Sequence, residues 1–220
     1  MKIGIITPIG PGHEVVYKEA IASIETAWKY HTGLFTNLHI LPQWDLKAEH
    51  GRSERRNQGI RQAMDLGCEW LFFLDADDIM TPFAFEDVTP NLSQFDAIWG
   101  MICEAPHDKI DNMQLRKGQL GATQNIQDIL SIDPFLSLQM GHFVRTECAA
   151  SIGFNEDVDA GEDFEYYIKV WRKFKCIKSS AIFFLNRRGN HSVGRRSATG
   201  GDWRRNVEKI IKQELNRLTN

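Results

Sequence analysis

Trp70-Leu71-Phe72-Phe73-Leu74 runs without a break into Asp75-Ala76-Asp77-Asp78. A continuous apolar run with no alternation predicts a strand covered on both faces, the condition of an inner strand in a layered α/β sheet. Three carboxylates at the carboxyl end of such a strand stand where open α/β sheets receive ligands. Carboxylates this close repel one another, and a hard divalent cation, Mn²⁺ or Mg²⁺, shared with phosphate oxygens relieves the repulsion. The competing reading is a helix N-cap: Asp77 or Asp78 capping the segment that begins near Pro82 needs no metal.

Upstream, the same grammar repeats. Residues 2 to 7 form a β-branched run ended by Pro8, Gly10, Pro11 and Gly12, which predicts a strand and a loop. Val16, Ala20, Ile21, Ile24, Ala27 and Trp28 then recur at helical spacing, giving a helix with one apolar face. A strand over 37–42 and a helix over 52–66, closed by Gly67, follow. Strand, helix, strand, helix, strand predicts one α/β domain with a mainly parallel central sheet flanked by helices. Beyond Asp78 the expected elements are strands at 96–103, 138–144 and 181–185 and a helix at 162–173. Residues 104 to 137 are polar and irregular and read as a surface excursion or a flexible loop over a site.

Charge narrows the function classes. Lys plus Arg number 26 against 29 Asp plus Glu, a net −3 that disfavours a general nucleic-acid binder or a coat on anionic membranes. Arg187, Arg188, Arg195, Arg196, Arg204 and Arg205 nevertheless gather near the C-terminus, as an anion site or as a solvated basic surface. Planar guanidinium forks suit diphosphate oxygens, so Arg187, Arg188 and Arg195 are candidates to contact one. Cys68, Cys103, Cys148 and Cys176 are scattered, without the pairing of a zinc knuckle or dithiol site. The N-terminal apolar run meets Pro8 too soon for a signal peptide, and no stretch approaches the roughly 18 apolar residues of a span. A soluble, cytoplasmic chain with reduced thiols is expected. Of the tryptophans, Trp44 and Trp99, near expected strand ends, are the candidates for contact with a sugar.

Thr7-Pro8 after the first strand, Arg56-Asn57-Gln58-Gly59-Ile60 on the second helix, the segment from Phe72 to Asp78, and Gly153-Phe154 leading to Gly161-Glu162-Asp163-Phe164-Glu165 fall in a telling order. In order and spacing this resembles the family 2 glycosyltransferases, inverting enzymes of the GT-A fold, over most of residues 1 to 193. The resemblance implies a GT-A-like single domain. Its halves would be 1–103 for the nucleotide sugar and 104–193 for acceptor and catalysis, with 194–220 a basic C-terminal segment. It implies that Thr7, Pro8, Asp45, Asp75, Ala76 and Arg52 or Arg56 line the nucleotide-sugar site, with Asp75 on the nucleoside. Asp77 would bind the metal, and Asp163 would be the general base, with Glu162 beside it at the acceptor. His191 resembles the C-terminal His of many relatives, a metal ligand or phosphate contact.

The family often carries an Asp-rich segment after its second strand, where this chain has Leu41-Pro42-Gln43-Trp44-Asp45, leaving Asp45 as the equivalent. The Gln-x-x-Arg-Trp signature of processive synthases is absent, which favours transfer of a single sugar. The donor implied is a nucleoside-diphosphate sugar, UDP first. The acceptor is a hydroxyl on a glycan, lipid carrier, protein or modified nucleic acid. Three rivals remain. A haloacid-dehalogenase-type phosphatase usually places its Asp-x-Asp strand first, a nucleotidyltransferase needs a fuller Gly-rich loop than Gly10-Pro11-Gly12, and a non-catalytic nucleotide-sugar binder would tolerate loss of Asp163.

Overall fold

The computed structural model describes residues 1–106, 109–158, 160–188 and 200–219. The N-terminal half alternates as expected: β1 (Lys2–Ile9), α1 (Val16–Tyr30), β2 (Asn37–Trp44), α2 (Gly51–Asp65) and β3 (Trp70–Phe73). Then come β4 (Ile79–Met80), α3 (Ala84–Val88), β5 (Ala97–Trp99), β6 (Cys103–Pro106), β7 (Gln114–Leu115), α4 (Ile126–Ser131) and α5 (Pro134–Ser137). The chain closes with β8 (His142–Arg145), α6 (Thr146–Ile152), α7 (Glu162–Lys173), β9 (Cys176–Lys178), β10 (Phe184–Arg188) and α8 (Gly200–Thr219).

Among the described residues the main sheet has six strands in the order β2-β1-β3-β8-β5-β9. β1 pairs in parallel with β2 and β3, and β5 with β9, while β8 runs antiparallel between β3 and β5. Side chains of β3 alternate between two cores as a period of two requires. Leu71 and Phe73 join Ile60, Ala63, Phe164 and Val170 on one face, and Trp70 and Phe72 join Tyr17, Ile24, Phe85 and Phe143 on the other. Each fully buried aromatic there contributes about 1.5–3 kcal/mol relative to exposure. α2 lies close on β1: a Cβ on Gly59 would stand 2.5 Å from Ile6 Cγ2, so only hydrogen fits at the crossing.

Several expectations need correction. Pro8 does not end β1, which continues to Ile9 opposite Trp44. Ile6 C=O accepts from Leu74 N–H, so two residues on the Pro8 nitrogen faces the same side, where the β3 pairing ends, while the pairing with β2 continues past it. The expected strand at 96–103 is two strands in different sheets, β5 in the main sheet and β6 in a second one ordered β4-β10-β6-β7. The strand expected over 138–144 is confined to β8, and that over 181–185 begins later, as β10. The described residues between 104 and 137 are no loose excursion. Ile129 and Leu130 enter the core, Asn125 and Asp133 cap α4 and α5, and buried Arg116 pairs with Glu104 at 2.8 Å.

Candidate active site

Arg56 organises the site. It stands on the buried face of α2, where its guanidinium lies over the Phe154 ring, 5.3 Å from the centroid. Its Nη2 donates to Asp75 at 2.8 Å, and its Nη1 is 3.4 Å from Glu162. Arg52, one turn earlier, brings Nε to 2.5 Å from the same Glu162 oxygen. Next to Arg56, Asn57 exchanges two bonds with the Phe154 backbone, at 2.8 and 2.7 Å. Three segments distant in sequence therefore meet: the middle of α2, the carboxyl end of β3, and the loop and first turn of α7.

Glu162 is 1% exposed. Burial, then the neighbouring Asp163 carboxylate, raises its carboxyl above the usual range, against the pull of Arg52 and Arg56. Its geometry is that of a buried anchor for two arginines rather than of a group facing an acceptor. Asp163 is partly exposed, and its Oδ1 accepts from Phe164 N–H at 2.8 Å and from Trp203 Nε1 at 3.0 Å.

The three carboxylates after β3 have separate fates. Asp75 is held by Arg56. Asp78 is buried and accepts from Arg187 N–H at 3.0 Å and Asn186 Nδ2 at 3.1 Å. Burial and then the charges of Asp77 and Asp75 push it well above the carboxylate range. Asp78 thus ties β10 to the β3 end. Asp77 is pushed up to about 6 by burial and then by Asp75, against the opposing pull of His13, its own backbone and Arg187. No helix is capped by this cluster, since α3 begins without a side-chain cap, which removes the N-cap reading.

Among the described residues no group of three or more His, Cys, Asp or Glu converges to hold a metal ion. Asp77 is the oxygen donor whose crowding by Asp75 a cation would relieve. A Mg²⁺-like ion takes one or two carboxylates and completes its shell with water and phosphate oxygens, and the residues present fit that pattern.

The other expected contacts divide. Thr7 is buried with its hydroxyl unpartnered, Pro8 adjoins it on β1, and buried Ala76 offers only backbone. Arg187 is buried, donating to the Asp77 carbonyl and pairing with Glu19, while its Nη2 has no partner. Arg188 is half exposed, 3.6 Å from Glu104 on the second sheet. His191 and Arg195 lie outside the described residues. Asp45 closes the turn that leads into α2: its carboxylate accepts from Gly51 N–H at 2.7 Å, Glu49 N–H at 3.0 Å and His50 N–H at 3.1 Å. Trp99 is core, stacked on His142 at 4.3 Å, whereas Trp44 is 46% exposed beside Tyr17. Sequence reasoning missed His13, nearly buried with Nε2 unpartnered. It also missed Glu19 and Asn186, whose partners are too far along the chain to leave a local signal.

No protein-family model matches the sequence, and no curated protein does. Solved structures do. The structure of S. aureus TarS aligns at TM-score 0.66 and 16% identity, over 97% of this chain and 39% of that one. TarS 1-349 in complex with UDP-GlcNAc aligns at TM-score 0.66 and 16% identity, over 96% and 65%. The same fragment in complex with UDP aligns at TM-score 0.65 and 15% identity, over 96% and 64%. The chain spans less than two thirds of the TarS chain in each of these structures. At such identity the likeness is one of fold: a central, mostly parallel sheet flanked by helices. Among the described residues no helix is long and apolar enough to cross a membrane.

Proposed function

We propose that the chain is a glycosyltransferase of the family 2 type, moving a single sugar from a nucleoside-diphosphate sugar to an acceptor hydroxyl with inversion. The observation that carries this reading is the junction at Arg56, which joins the Asp75 strand end to the Glu162-Asp163 helix start. The fold shared with TarS, whose structures hold UDP-GlcNAc or UDP, supports UDP as the first nucleotide to test.

On this reading Asp75 meets the nucleoside and Thr7 offers its hydroxyl. Asp77 would hold Mn²⁺ or Mg²⁺, which would supply positive charge to the departing diphosphate. Arg187 Nη2 is a further donor on that side. Asp163 removes the acceptor hydroxyl proton as the oxygen attacks the anomeric carbon. The new C–O bond forms as the bond to the donor phosphate breaks, inverting the centre, and nucleoside diphosphate leaves. Arg52 and Arg56, pinned by Glu162, fix the distance between the two ends of the site.

Calorimetric titration of UDP, GDP, CDP and ADP, each with Mn²⁺ and with chelator, tests the donor half. One diphosphate should bind in a metal-dependent manner to the wild type and not to Asp77→Ala. If no nucleotide binds the folded protein, the reading is wrong, and a generic phosphatase assay is next.

A further inference from the structure

α8 is more than a solvated basic helix. Its inner face carries fully buried Val207 and packs Trp203, Ile210 and Ile211 on the core that includes α7. Three contacts concentrate where α7 begins. Trp203 Nε1 donates to Asp163 Oδ1 at 3.0 Å, and Asn206 Nδ2 donates to the Ala160 carbonyl at 2.8 Å. Gly161, at φ +88°, lies so close beneath α8 that a Cβ there would stand 3.3 Å from Asn206 Cβ and 3.4 Å from Val207 Cγ2.

Among the described residues the two hydrogen bonds to Asp163, from Trp203 Nε1 and from Phe164 N–H, fall on the same oxygen, Oδ1. We propose that Trp203 is a positioning residue for Asp163: its indole N–H locks Oδ1 and reserves Oδ2 as the oxygen that takes the acceptor proton. The inference rests on Asp163 being the base. A carboxylate's terminal torsion is broad when unrestrained, and two N–H groups aimed at one oxygen remove that freedom. Indole suits the task because it donates and never accepts, so it does not compete for the proton. Its ring is held edge-on to Phe164, 6.5 Å between centroids at 76°. If α8 served only as packing, the ring would suffice, and phenylalanine would replace it without consequence.

Two measurements test the proposal. The Trp203 indole N–H, identified in ¹H–¹⁵N spectra by its loss in Trp203→Phe, should exchange with solvent roughly tenfold more slowly in wild type than in folded Asp163→Ala. Equal rates overturn the contact. In hydrolytic turnover, with water taking the sugar, read as UDP released from UDP-GlcNAc or from whichever nucleotide sugar binds, Trp203→Phe should lower kcat roughly tenfold with donor KM unchanged and Tm lowered by no more than about 4 °C. A kcat like that of wild type overturns the positioning role. Asp163→Asn separates this from failure of the base assignment. If that variant turns over normally, Asp163 is not the base and the proposal falls with it. If it is inactive while Trp203→Phe is normal, only the positioning role has failed.

Discussion

Arg56 donates to Asp75 across 2.8 Å, joining the second helix to the end of the third strand, and the same side chain, 3% exposed, reaches Glu162. Removing one partner of a buried pair strands the other charge. Arg56→Ala leaves buried Glu162 with Arg52 alone, whose side chain is a third exposed, so the unfolding free energy in urea should fall by about 3 kcal/mol. Arg56→Lys keeps a charge but not a fork able to meet two carboxylates, and should lose about half as much. Adding Glu162→Gln to Arg56→Ala should restore part of the loss, because no buried anion then lacks a partner. Additive single-variant effects in that double-mutant cycle would refute the coupling.

Asp45 should matter to the fold and little to the nucleotide. Burial opposes its ionisation, but the N–H groups of Gly51, His50 and Glu49 and the charge of Arg55 outweigh it and hold the carboxyl below its usual range. A depressed carboxylate contributes stability that is present above the unfolded value and lost as pH falls through the folded one. Asp45→Ala should therefore cost about 1–2 kcal/mol in urea at pH 7, with the difference from wild type shrinking below about pH 4. UDP affinity by calorimetry should stay nearly constant. A large loss of affinity at unchanged stability would return Asp45 to the donor site.

What the sequence discloses follows from how local each cause is. β3 and the helical spacing of α1 carry their own signals, and Glu162-Asp163 at the head of an amphipathic segment gave the bounds of α7. The break between β5 and β6 has no such mark, because Ala97 to Cys103 is apolar on both sides of it. There the chain leaves one sheet for another at Gly100, where a Cβ would stand 2.6 Å from the Ala181 carbonyl. β4 and β7, two residues each, exist only through their partners, which is tertiary context overriding propensity. In the site, Arg56 and Asp75 belong to compact motifs and were legible. Trp203 bonds a residue 40 positions away, and nothing near Trp203 points to it.

Gly161 should resist replacement chiefly through its backbone. Its φ of +88° lies where a Cβ is strained, and a Cβ there would stand 3.3 Å from Asn206 Cβ, so α8 would have to give by a few tenths of an ångström. Gly161→Ala should lower the unfolding free energy by about 1–2 kcal/mol for the backbone alone, and more if α8 is displaced. Displacement has a separate signature: the Trp203 indole cross-peak should move while that of Trp70, in the opposite core, stays. A variant as stable as wild type, with all indole signals in place, would show that α8 does not press on this turn.

His142 supplies the pH test. It is buried between Trp99, stacked at 4.3 Å, and Phe73 at 5.4 Å, and neither ring nitrogen has a partner. Burial, then the charge of Arg56, pulls its pKa down to about 3, whereas the unfolded chain binds the proton near 6.5. Stability from a neutral His142 is thus fully present above about pH 6.5 and drains as pH falls toward 3, by about 1.4 kcal/mol per unit. His142→Phe keeps an aromatic ring in the stack and cannot protonate. Relative to wild type its unfolding free energy should gain about 1.4 kcal/mol for each unit between pH 6 and pH 4, read by urea denaturation at each pH. A difference between the two proteins that does not change with pH would mean that the imidazole takes up its proton in the folded state, and that the stack opens to admit it.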